Sequence, residues 1–236
     1  LPNVTYSGNL VSQCSNYQIY DLTTSGFVNP AGGVFSGPGV SGFIFNPSAV
    51  GPSANPYYIT YTYTDQNGCS NSDSNSNMVY SGPNVSFSGT LAAQCENSTS
   101  YNLLTNANVF PSGGYFIGLG VSGTNFNASV VGSSGSPATI IYTYVDNNGC
   151  QASAYNTIDI IPVPNVSIGS LDTIRCIDAP PVTLVGLPAG GTFSGPGVIG
   201  NTFSASIAGV GNHAIIYSYM ASNGCYNFDT TYVNIQ

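Results

Sequence analysis

Lysine and tryptophan are absent from this 236-residue sequence, and Arg175 is its only basic side chain beside nine aspartates and glutamates. Charged residues make up 4% of the chain, against roughly 25% in an average soluble domain. Without lysine there is no Schiff-base chemistry, no phosphate-binding P-loop and no lysine–asparagine isopeptide cross-link. One cation under a net charge of −8 cannot follow a phosphate backbone, which excludes nucleic acid as a partner. Attraction to anionic membranes fails for the same reason, and direct membrane insertion is not expected. The 29 glycines and 15 prolines stay below the roughly 25–30% typical of low-complexity chains, and 42% hydrophobic residues suffice for a core.

Internal repetition sets the domain organisation. Pro-Asn-Val recurs at Pro2, Pro83 and Pro164, and Cys14, Cys95 and Cys176 keep the same step of 81 residues. A second series, Cys69, Cys150 and Cys225, and a Gly-Gly-X-Phe segment starting at Gly32, Gly113 and Gly190 keep the step once and then shorten it. Six residues are lost from the third copy, in places where loops are expected. Three homologous modules follow, 1–82, 83–163 and 164–236, each near the size at which a single core is marginal.

Within a module the apolar period is two. Tyr57, Ile59, Tyr61 and Tyr63 fall on one face of a strand and Tyr58, Thr60, Thr62 and Thr64 on the other; Ile140, Tyr142 and Tyr144, then Ile215, Tyr217 and Tyr219, repeat the first face. Each of these strands runs into an Asn-Gly turn, at Gly68, Gly149 and Gly224, where glycine supplies the positive φ of a tight hairpin. Tyr17–Leu22, Val34–Phe35 and Phe43–Phe45 read as earlier strands between Gly, Pro and Ser turns. No window carries a helical stripe. The expected fold is all-β: three tandem immunoglobulin-like β-sandwich modules.

Each module owns one early and one late cysteine, so the repeat selects Cys14–Cys69, Cys95–Cys150 and Cys176–Cys225 from the 15 pairings that six cysteines allow. Such bridges are worth about 4 kcal/mol each in the chain-entropy model and imply an oxidising, extracellular setting at the cell surface. No metal or cofactor is expected. His213 aligns with Tyr57 and Ala138 in the other modules, so no shared catalytic site forms there, and the chain is read as no enzyme. Asp65 and Asp146 precede the Asn-Gly turns as Asx residues, a role that explains them without calcium.

The strings GGVFSGPGVSG, GGYFIGLGVSG and GGTFSGPGVIG, with YTYTDQNGC, YTYVDNNGC and YSYMASNGC after them, resemble the tandem immunoglobulin-like or PKD-like repeats of giant Bacteroidota surface proteins. Gliding-motility adhesins of the SprB type are the nearest members. The resemblance implies type IX secretion, attachment outside the outer membrane and a long filament that contacts substrata or glycans. It also implies O-glycosylation of Asp-Ser/Thr motifs, which makes Thr173 and Thr230 candidate sites.

The absence of a leader and the module boundaries at both ends lead to the expectation of a segment from a longer array. Linkers 81–83 and 162–164 contain proline, which restricts bending and favours modules placed end to end as a rod of roughly 100 Å. A surface with few charges also offers little repulsion against lateral self-association. Two functions remain. One is a structural spacer in an adhesin filament, with neighbouring repeats as its partners. The other is a glycan-binding module in which Tyr57, Tyr58 and Phe43 stack on sugars.

Overall fold

The computed structural model describes residues 1–8, 12–24 and 26–236. The fold is all-β, and the same elements recur three times along the chain. Each repeat opens on a short antiparallel pair: Thr5–Ser7 with Phe27–Asn29, Ser86–Ser88 with Asn108–Phe110, and Ser167–Ile168 with Gly186–Leu187. A small three-stranded sheet comes next, formed in the first repeat by Tyr20–Asp21, Ile44–Phe45 and Val40–Ser41. A long hairpin closes each repeat. The first joins Tyr57–Thr64 to Ser70–Asn77 and carries Val34–Ser36 on its outer edge.

The alternation of aromatic and threonine residues in Tyr57–Thr64 places Ile59 and Tyr61 in the core, almost fully buried. One-turn helices, Pro47–Val50, Ala128–Val131 and Ala205–Ala208, interrupt each repeat. Two of them begin where an asparagine side chain, Asn46 or Asn127, accepts from the backbone N–H two residues on, the usual N-cap arrangement. Four residues are too few to leave a helical period in the sequence.

Contacts gather the chain into two compact units. The first is 1–88, 108–117 and 141–156; the second is 89–107, 118–140 and 157–236. The first unit centres on Tyr6, Leu22, Phe35, Phe45, Ile59 and Tyr61, the second on Leu184, Phe203, Ile215, Val233 and Ile235. Aromatic packing recurs, with Phe35 on Tyr61 at 4.9 Å, Phe116 on Tyr142 at 5.1 Å and Phe193 on Tyr217 at 4.5 Å.

Each of those tyrosines also locks a turn. The hydroxyls of Tyr61, Tyr142 and Tyr217 donate to the carbonyls of Pro30, Pro111 and Pro188 and accept from the N–H groups of Gly33, Gly114 and Gly191. The second glycine of every Gly-Gly pair lies under the ring, and this explains the Gly-Gly-X-Phe segment. A Cβ on Gly33 would sit 2.3 Å from the Thr62 carbonyl oxygen and 2.8 Å from the Tyr61 hydroxyl.

Asn77 departs from this pattern. It is 1% exposed at the end of the first hairpin, and both polar atoms of its side chain lack a hydrogen-bond partner. Ile158 and Val233 hold the equivalent place and are fully buried. A buried amide with no partner costs about 1–3 kcal/mol. Asn77→Ile is therefore expected to raise stability by about 1–3 kcal/mol in chemical denaturation, and an unchanged or lowered midpoint would contradict that. The Tyr6 hydroxyl is also buried and unpartnered; burial, with Tyr20 nearby as a second cause, pushes its pKa up to about 12. It is a neutral phenol at physiological pH.

Candidate functional site

The cysteines form the most distinctive constellation, and their connectivity corrects the sequence expectation. Cys14 is bonded to Cys150 and Cys95 to Cys225, with Cα atoms 5.5 and 5.6 Å apart, while Cys69 and Cys176 are free and exposed. Each bond lies inside one of the two compact units. None of the pairs Cys14–Cys69, Cys95–Cys150 or Cys176–Cys225 forms.

The physical reason lies in the hairpin. Cys69 follows the turn, and Ser70–Asn77 then leads away from it to Val79–Tyr80, which pairs in parallel with Gln13–Cys14 so that Cys14 sits opposite Tyr80. Eleven residues of extended chain separate Cys69 from Tyr80, or roughly 36 Å at about 3.3 Å per residue. A disulfide needs Cα atoms within about 7 Å. The two cysteines of one repeat lie at opposite ends of it and cannot meet. Early and late cysteines of successive repeats meet instead.

Both partners are held by local structure. Late cysteines are fixed by the turn: Asp65 Oδ1 accepts from the N–H of Asn67 and of Cys69, Asp146 Oδ1 from Asn148 and Cys150, and Asn223 Oδ1 from Cys225, all between 2.8 and 3.0 Å. The carboxylates thus act as turn caps, and among the described residues no three of His, Cys, Asp or Glu gather in a metal-binding group. Early cysteines are fixed by parallel pairing, Cys14 opposite Tyr80 and Cys95 opposite Ile161. Beside each bond an asparagine two residues after the early cysteine donates to the carbonyl of the residue after the late one. These bonds are Asn16 to Gln151 at 2.8 Å and Asn97 to Tyr226 at 3.0 Å. The sequence carried the signal for this arrangement in the 11-residue run from late cysteine to strand end, but the parallel pairing that places Cys14 at that end is tertiary.

The residues singled out for other roles are dispersed. Tyr58 and Phe43 are 63% and 54% exposed, whereas Tyr57 is half-buried with its hydroxyl donated to the Val50 and Gly51 carbonyls. Alternation puts Tyr57 and Tyr58 on opposite faces of their strand. Thr173 is exposed in a loop, and Thr230 is half-buried opposite Ile216 in a hairpin. His213 lies in the same hairpin opposite Val233, with Nε2 2.8 Å from the Gly209 carbonyl oxygen. Among the described residues no helix is long and apolar enough to cross a membrane.

By sequence the chain matches no family model and no curated protein. Among solved structures it is similar to a calcium-stabilised adhesin with which an Antarctic bacterium reaches out and binds ice, at 10% identity over 92% of this chain and 64% of that one, with a TM-score of 0.29. It is also similar to mouse protocadherin-24 EC1-3, at 10% identity over 100% of this chain and 99% of that one, TM-score 0.27. Drosophila N-cadherin EC1-4 matches at 11% identity over 99% and 75%, TM-score 0.28. The chain spans just under two thirds of the bacterial adhesin's length.

Proposed function

We propose that this chain is a non-catalytic, load-bearing segment of an extracellular adhesin, built from the repeats 1–82, 83–163 and 164–236. The observation that carries the reading is the disulfide connectivity, because bonds that run from one repeat into the next give tension a covalent route that bypasses much of the fold. Disulfides also belong to oxidising surroundings, which supports a cell-surface location. The finer reading, a gliding-motility filament exported by type IX secretion with glycans on Thr173 and Thr230 and lateral self-association of its repeats, rests on the sequence resemblance and on the low charge. Glycan binding by Tyr57, Tyr58 and Phe43 is the weaker alternative, since Tyr57 is committed to backbone carbonyls.

Pulling the chain by its ends tests the reading. With both disulfides closed, the shortest covalent path runs from Cys14 to Cys150, back along the chain to Cys95 and across to Cys225. It contains about 80 residues, so extension is expected to stop near roughly 280 Å, against roughly 800 Å after reduction, at about 3.5 Å per residue. Equal limits before and after reduction would remove the mechanical argument. Specific glycan binding by the intact chain, lost in Tyr58→Ala, would replace the spacer reading with the alternative.

A further inference from the structure

The two free thiols occupy repeat positions whose equivalents are all bonded. Cys69 stands where Cys150 and Cys225 stand, and its turn is the same: Asp65 N–H donates to the Cys69 carbonyl as Asp146 does to Cys150 and Ala221 to Cys225, each at 2.9 Å. Cys176 stands where Cys14 and Cys95 stand. The residue after it, Ile177, donates to the Gln236 carbonyl at 2.9 Å, as Ser15 does to Tyr80 at 2.8 Å and Glu96 to Ile161 at 2.9 Å. Local presentation is therefore the same in bonded and free cysteines.

Cover is what differs. Cys150 and Cys225 are fully buried and Cys14 is 4% exposed, whereas Cys69 and Cys176 are open to solvent. At Cys150 the extra burial accompanies the early-cysteine segment Gln13–Cys14 of another repeat, and at Cys225 the segment Gln94–Cys95. One rule describes both bonds: an early cysteine joins the late cysteine of the next repeat. Under that rule Cys69 lacks an early cysteine and Cys176 lacks a late one.

We infer that Cys69 and Cys176 are complementary open ends of a disulfide register, each built to accept a further copy of this repeat, and that two further copies of this chain, one at each end, supply the missing partners. The new link is Cys176 of one copy to Cys69 of another. It is heterologous, so it propagates and does not close on itself. This inference extends the load-bearing reading but rests on the free cysteines alone. The step is an exchange with a small disulfide oxidant such as oxidised glutathione. The Cys176 thiolate attacks it and expels one reduced glutathione; the Cys69 thiolate then attacks the Cys176 sulfur and expels the second. Two thiols lose two protons and two electrons, and the oxidant becomes two thiols. One difference marks the Cys176 end, where Asp178 replaces the asparagine found at Asn16 and Asn97, so the new joint lacks the amide hydrogen bond of the two internal ones.

The test uses the whole chain with its internal disulfides intact, incubated in a glutathione redox buffer and read by non-reducing electrophoresis and mass spectrometry of linked peptides. Expected is a ladder extending beyond dimer in which Cys69–Cys176 links exceed either symmetric link by about tenfold, where random pairing gives about twofold. Cys69→Ser and Cys176→Ser chains should each stay largely monomeric alone and form a covalent dimer when mixed. Symmetric links in random proportion, a Cys69–Cys176 bond within one monomer, or no covalent species would each overturn the inference. None of these outcomes touches the pulling experiment, which reads only the internal bonds.

Discussion

Cys150→Ser is expected to lower stability by about 5 kcal/mol, while Cys69→Ser, at the equivalent position one repeat earlier, changes it by no more than about 0.5 kcal/mol. The first figure comes from the loop closed by Cys14–Cys150, which spans 136 residues; freeing it returns to the unfolded chain the entropy that the bond removes. The second reflects a free and exposed thiol. Chemical denaturation of the two variants beside the parent chain decides the matter. Bonds within repeats would reverse the Cys69 result, making its loss as costly as that of Cys14. Because 5 kcal/mol is comparable to the whole stability of a small domain, Cys150→Ser is expected to leave part of the chain unfolded at moderate denaturant.

The second large effect concerns the paired glycines. Gly33→Ala is expected to cost about 3–5 kcal/mol, since its Cβ meets the Thr62 carbonyl oxygen at 2.3 Å and the Tyr61 ring at 2.6 Å. Relief would displace the ring whose hydroxyl serves Pro30 and Gly33, adding the loss of two partly buried hydrogen bonds to the cost of overpacking. Gly32→Ala, one residue earlier, meets nothing within 4 Å but has φ +95°, and it should cost only the backbone strain of about 1–2 kcal/mol. Denaturation midpoints that fail to separate the neighbouring variants would show that close approach to Tyr61 is not what requires the second glycine.

Much of this protein was legible locally. The alternation in Tyr57–Thr64, the Asn-Gly turns and the repeated Gly-Gly pairs depend on neighbours in the chain and on the fixed geometry of a strand, so they predict an all-β fold and the hairpins within it. The turn role of Asp65 and Asp146 was equally readable, because an Asx side chain reaches only a few residues.

Cysteine pairing belongs to another class. By itself the sequence determined that early and late thiols recur in step; which of them approach was decided by the parallel pairing of Gln13–Cys14 with Val79–Tyr80, a contact between segments more than 60 residues apart. That contact puts the length of a strand between the two thiols of one repeat. A disulfide responds to a separation of a few ångströms in space, and equal spacing along the chain carries no information about that distance.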